Sequence, residues 1–328
     1  MQQYALPAAK VVLVAAYVWL VYNFIPVGFV FALFSLAFAV LYTVVLDQLI
    51  KLLPVAKFKP SVPLHEWPKS CALVTGASGG LGYEYAKLLA ADGHDLVLVA
   101  RSADKLDEIK KELEAQYGIN VKVIAKDLTK PGAAREVFDE VQRSNLLTEL
   151  LVNNAGFGAV GDFTLISFEK NMEMVQLNIV ALTELTHLVV RRLLQEGKPR
   201  GRVMNISSGA GFVPGPGMAV YFATKAYVTS FTEALAQELS GTEITATVIC
   251  PGATATNFAE VAGNKNSLIF KSGNVMTAEE VARTSYRAWM LGEPVYITGV
   301  ANSAPLYVLP FIPRALLYKL IAFLNSSH

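Results

Sequence analysis

Two side chains capable of acid-base chemistry stand four residues apart in a stretch that favours helix. At this spacing Tyr221 and Lys225 would lie on one helix face. A free phenol, with a pKa near about 10, is a poor catalyst at neutral pH, whereas a nearby ammonium group stabilises the phenolate and lowers that pKa. The pair therefore predicts a tyrosine that exchanges a proton with a substrate.

Two more polar residues occur where they could join this pair. Ser208 follows the apolar, strand-like run 202–206, which would place it at the carboxyl edge of a sheet. Its hydroxyl could donate to a substrate carbonyl oxygen. Asn178 belongs to the helical pattern 174–189 and could hold a water molecule that relays protons from Lys225 to solvent.

A glycine-rich loop predicts a nucleotide site. The strand-like run 71–74 continues into Thr-Gly-Ala-Ser-Gly-Gly-Leu-Gly at 75–82, and a helical pattern follows. Glycines let the backbone turn tightly and approach a pyrophosphate, which then rests on the positive end of the helix dipole. Taken alone, the loop could also be an ordinary tight turn. Its candidate binding residues are Gly76, Ser78, Gly80, Leu81 and Gly82.

The end of the second strand-like run indicates which dinucleotide would bind. Folds specific for NAD usually place an acidic residue there to bind the ribose hydroxyls. Here Ala100 is followed by Arg101. A guanidinium suits a 2′-phosphate, so the site should favour NADP(H). Lys105 could assist, although a base on a solvated helix face is the more ordinary interpretation.

The next two runs end in residues that could hold the adenosine half of the cofactor. Asp127 and Leu128 follow the third run and could cover the adenine. The fourth run ends in Asn-Asn-Ala-Gly at 153–156, where small residues leave room for the ribose and side-chain amides can tie strands together. Each segment is ambiguous by itself.

Over residues 70–299 these motifs, in this order and spacing, resemble the short-chain dehydrogenase/reductase family. The matching residues are Thr75, Gly76, Gly80, Gly82, Asp127, Asn153, Asn154, Ala155, Gly156, Asn178, Ser208, Tyr221, Lys225, Pro251, Gly252 and Thr256. The resemblance implies a catalytic tetrad of Asn178, Ser208, Tyr221 and Lys225, with Lys225 also binding the nicotinamide ribose. It further implies that Pro251, Gly252 and Thr256 line the nicotinamide end. One departure is Gly79, which stands where many relatives have serine.

The elements that must position these residues follow from hydrophobic periodicity. Strand-like runs at 71–74, 96–99, 121–125, 150–152, 202–206 and 245–249 alternate with helical patterns such as 81–91 and 105–117. Such alternation predicts right-handed βαβ units. The expected fold class is α/β, a Rossmann-like doubly wound parallel sheet in a single globular domain behind an N-terminal transmembrane segment.

Residues 11–46 contain no charged side chain, although about 20 apolar residues suffice to cross a bilayer. This run predicts a retained membrane anchor within residues 1–50. Pro26 interrupts it, so the anchor is either one kinked helix or a hairpin of 11–21 and 27–46. Bases on both flanks and none at the break favour a hairpin with both ends cytoplasmic. A buried pair of core helices is the alternative.

Beyond the anchor we expect a Pro- and Lys-containing connector at 51–69, a catalytic domain at 70–300 and an apolar tail at 301–328. The region after Thr256, up to Val275, is loop-like and in the resembling family would be a mobile substrate lid. In the tail only Arg314 and Lys319 are charged between 304 and 324. Such a segment would lie against lipid headgroups or, alternatively, pack as a helix over the core.

Anchor, tail and lid together predict a hydrophobic small-molecule substrate and a lipid bilayer as partner. The chain resembles membrane-bound reductases that act on long-chain 3-oxoacyl thioesters, steroids or retinoids. This implies the endoplasmic reticulum or a bacterial inner membrane, with a cytoplasmic catalytic domain, and a possible homodimer. A non-catalytic NADP-binding scaffold and a sugar-nucleotide epimerase are the competing interpretations.

Charge and rare residues exclude other classes of function. The net charge is +1 with acids and bases interspersed, so nucleic acid is not an expected partner. Four scattered histidines give no metal-ligand spacing, and no metal is predicted. Cys71 and Cys250 lie in or beside apolar runs and are expected to be buried core residues.

Overall fold

The computed structural model describes residues 70–195, 200–263, 267 and 275–325. The chain divides into two compact units, Met1–Lys59 and Pro60–His328, and every described residue belongs to the second. The predicted anchor and connector, residues 1–69, therefore lie outside the described residues. So does most of the predicted lid.

Within the described residues, seven parallel strands form one sheet in the order β3-β2-β1-β4-β5-β6-β9. A separate pair, β7 and β8, is also parallel. The strands are β1 Ser70–Thr75, β2 Leu96–Ala100, β3 Val121–Ala125, β4 Leu147–Asn153, β5 Arg200–Ile206, β6 Glu243–Cys250, β7 Thr254–Ala255, β8 Met276–Thr277 and β9 Val295–Ile297.

The helices connect these strands and cover both faces of the sheet. Their bounds are α1 Gly80–Ala91, α2 Ala103–Tyr117, α3 Ala133–Arg143, α4 Phe168–Val175, α5 Leu182–Gln195, α6 Ala219–Glu238, α7 Phe258–Ala262, α8 Ala278–Met290, α9 Val300–Val308 and α10 Arg314–Asn325. A π-helical turn, Gln176–Ala181, joins α4 to α5, and 3₁₀ turns occupy Gly209–Phe212 and Leu309–Phe311.

Two apolar clusters make the sheet a buried central layer. On one face α1, α2 and α8 pack against the strands, and on the other face α3 and α5 do. Because both faces are covered, the central strands are continuous apolar runs, and β2 is buried at every residue. The strand order reverses between β1 and β4, so a crevice opens there at the carboxyl ends, where ligands bind in such folds.

The predicted Rossmann-like doubly wound sheet is confirmed. All six predicted strands are present; β3 has the predicted bounds, and the other five are longer than predicted at one or both ends. The seventh strand, β9, was not predicted, because Val-Tyr-Ile at 295–297 is too short to show a period. Cys71 and Cys250 are buried and free, as expected.

The region after Thr256 differs from the predicted loop. It contains the short helix α7, whose Phe258 and Ala262 pack in an apolar cluster with Tyr221. Residues this few carry too little periodicity to predict a helix, and tertiary packing supplies the stability instead.

The C-terminal tail forms helix through Asn325. In α10, Leu317 and Ile321 are buried in the same cluster as Tyr221, while Leu316 and Leu320 are exposed. The helix therefore packs over the core with one face and leaves a second apolar face outside.

Only one helical stretch among the described residues, Phe168–Gln195, is long and apolar enough to cross a bilayer. Half of its most apolar part is buried inside the fold, so it is weak evidence for a span.

Candidate active site

Helix α6 presents the predicted acid-base pair to the carboxyl end of β5. Tyr221 and Lys225 are both buried, and the Lys225 Nζ lies 5.7 Å from the centre of the Tyr221 ring. The same Nζ donates to the backbone carbonyl of Ile206, the last residue of β5, at 2.8 Å. The two side chains therefore share one helix face, as their spacing predicts.

Ser208 reaches the same place from the end of β5. Its hydroxyl lies near the Tyr221 phenol, accepts from the Ala210 N–H at 3.1 Å and donates to the Pro251 carbonyl at 3.4 Å. The structure thus brings Ser208, Tyr221 and Lys225 together around one point.

Burial sets the proton affinities of the pair. Burial raises the pKa of Tyr221 above its ordinary value, and the nearby Ser208 hydroxyl opposes this only partly. Burial also lowers the pKa of Lys225 to about 8. In the chain by itself, burial therefore raises the pKa of the phenol, which is the opposite direction to the lowering expected from the ammonium.

Asn178 is fully buried within the π-helical turn, a feature frequent at functional sites. Its side-chain nitrogen donates to the Phe157 carbonyl at 2.9 Å and to the Thr224 hydroxyl at 3.0 Å, and its Oδ1 accepts from the Phe157 N–H at 3.2 Å. Both amide hydrogens are thus committed to protein groups. The predicted water on this side chain could bind only at the remaining lone pair of Oδ1.

Sequence reasoning missed the hydroxyls that hold α6 in place. Thr224 accepts from Asn178 and donates to the Tyr221 carbonyl at 2.7 Å. Ser207 donates to the Lys225 carbonyl at 2.8 Å and lies 2.7 Å from the Thr229 hydroxyl. Their positions gave a weak signal in the sequence, since Ser207 directly precedes Ser208 and Thr224 directly precedes Lys225. Serine and threonine are too common, however, for this proximity to identify them.

The glycine-rich loop forms a tight cradle. Gly76 and Gly80 have positive φ of 66° and 54°, which glycine adopts without strain. A Cβ on Gly82 would lie 2.3 Å from the Gly76 carbonyl oxygen, so only glycine fits. Asn154 holds the turn by donating to the carbonyls of Thr75 and Gly76 at 3.0 and 3.2 Å.

Other motif residues border this cradle. A Cβ on Gly80 would lie 3.2 Å from the Thr256 Cγ2, so the segment after β6 reaches the glycine-rich loop. A Cβ on Gly156 would lie 3.1 Å from Asn178 Oδ1 and 3.6 Å from Lys225 Nζ. The glycine-rich cradle therefore adjoins the acid-base pair. The close approach that the glycines allow to the backbone suits a bound dinucleotide. Ser78 and Leu81 are partly exposed in the loop, and Ala155 donates its N–H to Thr75 Oγ1 at 3.0 Å.

Arg101 and Asp127 lie close together at the far end of the crevice. Partial burial acts to raise the pKa of the Asp127 carboxyl, but hydrogen bonds from Thr129 and the nearby Lys130 and Arg101 charges outweigh it and lower the pKa. The carboxylate accepts from the Thr129 N–H at 3.0 Å and hydroxyl at 2.8 Å. Arg101 is exposed and Leu128 is buried. An exposed guanidinium at the end of β2 fits an anionic ligand.

Apolar side chains enclose the other side of Tyr221. The Phe258 ring centre is 5.2 Å from that of Tyr221, and Phe222 packs edge-on at 6.1 Å. A Cβ on Gly158 would touch Phe258, Tyr221 and Met218 at 3.0 to 3.3 Å. Segments far apart in the chain, including Leu317 and Ile321 of α10, thus build one apolar wall beside the phenol.

The part of the chain that carries this geometry is similar to a known protein family. The family model described as short chain dehydrogenase matches residues 70–267. The chain belongs to the short-chain dehydrogenase family. This is a family of oxidoreductases, and the match covers the cradle, the four residues of the predicted tetrad and α7.

Relatives within the family share about a third of the aligned residues. The very-long-chain 3-oxoacyl-CoA reductase of Anas platyrhynchos is 34% identical over 196 residues, 58% of this chain and 61% of that enzyme. The human 17-beta-hydroxysteroid dehydrogenase type 3 is 31% identical over 212 residues, 61% of this chain and 67% of that enzyme. The chain thus matches less than two thirds of the duck enzyme's length.

Solved structures share the fold. A short-chain dehydrogenase from Sphingobium yanoikuyae in complex with NADPH superposes with a TM-score of 0.66 at 33% identity, covering 76% of this chain and 95% of that one. The bulky-bulky ketone specific alcohol dehydrogenase from Comamonas testosteroni gives 0.63 at 30% identity, covering 76% and 93%.

Proposed function

We propose that the chain is an oxidoreductase that transfers a hydride between NADP(H) and the carbonyl or secondary alcohol carbon of a hydrophobic substrate. Tyr221 acts as general acid and base. The observation that carries the proposal is the meeting of Ser208, Tyr221 and Lys225 at the strand edge that also bears the glycine cradle. Hydride transfer leaves a charged oxygen, and these groups lie where a proton donor for it is needed.

NADP(H) is the cofactor, and the cradle is where the chain holds it. The glycine-rich loop, from Gly76 to Gly82 with Ser78 and Leu81, binds the pyrophosphate, and Asp127, Leu128, Asn154, Ala155 and Gly156 hold the adenosine half. Arg101 binds the 2′-phosphate. Lys225, Tyr221, Pro251, Gly252 and Thr256 hold the nicotinamide end. When bound, the cofactor supplies or accepts the hydride; the protein supplies the proton and the orientation.

The raised pKa of Tyr221 makes the phenol a proton donor at neutral pH. Because burial keeps the phenol protonated at neutral pH, Tyr221 holds a proton on its Oη for transfer to a substrate oxygen. Ser208 fixes that oxygen by a hydrogen bond, and Lys225 supplies a nearby group with a pKa of about 8 that can return a proton to the phenol. Asn178 is a positioning residue, because its amide holds the backbone at Phe157 and the Thr224 hydroxyl.

The apolar wall supports a hydrophobic substrate of the 3-oxoacyl, steroid or retinoid type. Met218, Phe222, Phe258 and Leu317 leave mostly carbon surface beside the phenol. The names of the duck and human relatives, a 3-oxoacyl-CoA reductase and a hydroxysteroid dehydrogenase, point to the same chemistry.

We further propose the chain organisation expected from the sequence, with an anchor at 1–50, a connector at 51–69, a catalytic domain at 70–300 and an apolar tail at 301–328. The uncharged run 11–46 supports attachment to a membrane such as the endoplasmic reticulum or a bacterial inner membrane. The catalytic domain would be cytoplasmic and could pair as a homodimer.

Replacing Tyr221 by Phe tests the proposed chemistry. We expect the rate of NADPH oxidation with a panel of ketones to fall by at least about 100-fold, because the proton donor is lost. Tyr227→Phe is the matched control, since Tyr227 lies on the same helix but is exposed. Wild-type rates in Tyr221→Phe would refute the role. NADPH binding without turnover of any ketone by the wild type would indicate a non-catalytic scaffold instead.

Replacing Arg101 by Ala tests the cofactor preference. NADPH binding should weaken by about 1.5 to 3 kcal/mol more than NADH binding, because a charge-assisted hydrogen bond to the 2′-phosphate is lost. Lys111→Ala, a change to an exposed base of α2, controls for the loss of one positive charge. Titration by fluorescence gives both dissociation constants, and equal losses for the two cofactors would overturn the preference.

A further inference from the structure

The first turn of helix α9 lies at the carboxyl edge of the sheet, beside the segment that follows β6. Strand β9 pairs with the end of β6, and the Thr298 N–H just after β9 donates to the Cys250 carbonyl at 3.3 Å. Helix α9 then begins at Val300 and lies against the turn Gly209–Phe212, which follows Ser208. The C-terminal tail therefore reaches the edge that carries the proposed active site.

Asn302, in this first turn, packs directly on Gly252. A Cβ on Gly252 would lie 2.3 to 2.5 Å from the three outer atoms of the Asn302 amide, Cγ, Nδ2 and Oδ1. Side-chain carbons do not approach other atoms this closely, so the amide occupies the space that a side chain at position 252 would need. Gly252 has no positive φ, so this contact, and not the backbone conformation, is what requires glycine there.

Two further contacts hold the Asn302 amide in this place. Its Nδ2 donates to the Thr298 carbonyl at 2.9 Å and lies 3.8 Å from the Met276 Sδ. A Cβ on Gly299 would lie 2.9 Å from the same Met276 Sδ and 3.2 Å from the Asn302 Nδ2. The amide is thus fixed between the start of α9, strand β8 and the Gly252 backbone.

The peptide between Pro251 and Gly252 connects this amide to Ser208. The carbonyl of that peptide accepts from the Ser208 hydroxyl at 3.4 Å and from the Gly209 N–H at 2.8 Å. A shift of Gly252 toward or away from Asn302 therefore also moves the group that orients Ser208. The same peptide lies at the position proposed for the nicotinamide end of the cofactor.

We propose that Asn302 is a positioning residue of the active site. Its amide fixes the Pro251–Gly252 peptide, and through this peptide it fixes both the Ser208 hydroxyl and the nicotinamide. The effect on the nicotinamide rests on the proposed function, whereas the contact between Asn302 and Gly252 does not. The C-terminal tail, which the sequence predicts only as an apolar segment, thus contributes a polar residue to the reaction.

Replacing Asn302 by Ala in the full chain tests this role. We expect kcat for a ketone to fall about tenfold, because a small misplacement of the reacting groups lowers the rate steeply. The dissociation constant of NADPH should change less than about twofold, because the pyrophosphate and the 2′-phosphate make the charged contacts that hold the cofactor. The fluorescence emission of NADPH bound to the variant should move toward that of free NADPH, since its nicotinamide is held less firmly.

Asn325→Ala is the matched control. Asn325 is also an asparagine of the tail, and its side chain donates to the Pro216 carbonyl at 3.0 Å, but it lies at the end of α10. Alanine there removes a hydrogen bond of the same kind and should leave kcat and the emission of bound NADPH at the wild-type values.

Wild-type kcat and wild-type emission in Asn302→Ala overturn the proposal. So do equal effects in the Asn302→Ala and Asn325→Ala proteins, since the loss is then one of general packing in the tail. If the wild type binds NADPH but reduces no ketone, the proposed function fails. The emission of bound NADPH then still decides whether Asn302 positions the nicotinamide.

Thermal unfolding in detergent tests the contact itself, without cofactor or substrate. Gly252→Ala should lower the unfolding midpoint by about 3 °C or more, because overpacking costs stability. In Gly252→Ala/Asn302→Ala the amide is gone and the new Cβ has room, so the midpoint should be higher than in Gly252→Ala alone. If Gly252→Ala does not fold, recovery of a folded protein by the second substitution supports the contact in the same way. Losses of the two single variants that simply add in the double variant overturn the contact.

Discussion

At the scale of single residues, burial decides the protonation of the site. Tyr221 packs against Phe222 and Phe258, so its phenol is buried and keeps the proton. Lys225 is buried in the same region of the protein. The identity and spacing of this pair could be predicted because a helix repeats every 3.6 residues. The direction of the Tyr221 pKa shift could not, because burial comes from Phe258 and other residues distant in the chain.

Thr224 is predicted to position Tyr221 without touching the reacting atoms. In Thr224→Val, the Tyr221 carbonyl loses a donor and Asn178 loses an acceptor, so the phenol should shift relative to Ser208. We expect kcat to fall about tenfold with KM unchanged, since a small misplacement lowers the rate steeply. Steady-state kinetics with one ketone measures both constants.

Thr224→Ser keeps the hydroxyl and is the matched control. It should restore kcat to near the wild-type value. A serine variant as slow as the valine variant would show that the methyl group matters and that the two hydrogen bonds do not.

At the scale of elements, helix α6 is fitted closely to the turn Gly209–Phe212. A Cβ on Gly211 would lie 2.7 Å from Thr229 Oγ1 and 2.9 Å from the Lys225 carbonyl oxygen. A side chain there must push helix α6 away from this turn. A Cβ on Gly209, two residues earlier, would have only an ordinary contact at 3.8 Å.

Gly211→Ala should therefore cost about 1–3 kcal/mol of folding stability, as overpacking does, and lower turnover as well. Gly209→Ala should leave both nearly unchanged. Urea unfolding in detergent and ketone reduction measure the two effects. Equal stability of the two alanine proteins would contradict this close packing.

Strongly periodic elements were predictable and weakly periodic ones were not. The strand β2 and the helix α2 follow from local patterns of apolar residues. The edge strand β9 and the helix α7 have three and five residues, too few for a period to appear. They form because β6 and the Tyr221 cluster offer surfaces for them to pack against.

At the scale of the whole molecule, a buried base makes folding stability depend on pH. The pKa of Lys225 is about 8 when folded and 10.5 without burial, so at pH 7 the fold holds a charge that it disfavours. Between about pH 8 and 10.5 the unfolded chain keeps this proton and the folded chain loses it. The contribution of Lys225 to stability therefore rises with pH through that window.

Lys225→Met should be more stable than the wild type at pH 7, by about 2 kcal/mol after allowing for the lost hydrogen bond to Ile206. The difference should shrink toward pH 10.5. The buried tyrosines are present in both proteins, so their titration cancels in the comparison. Unfolding at pH 7 and 10 measures the difference, and a constant difference would show that the charge cost is absent.

The overall architecture was predictable from the alternation of strands and helices, and the family from motifs spread over that frame. The apolar wall was not, because Gly158, Met218, Phe258 and Leu317 come from four separate segments. Such convergence is a property of the tertiary fold and leaves no local pattern in the sequence.

The contact between Gly80 and Thr256 has a consequence for synthesis on the ribosome. The first four strands can pair among themselves as they emerge, but β4 then presents an unprotected edge until β5 is made. The cradle is completed only after β6 and Thr256 have left the exit tunnel. Through most of translation the nascent chain therefore cannot draw stability from bound nucleotide, and until β5 is made the edge of β4 is open to incorrect strand pairing.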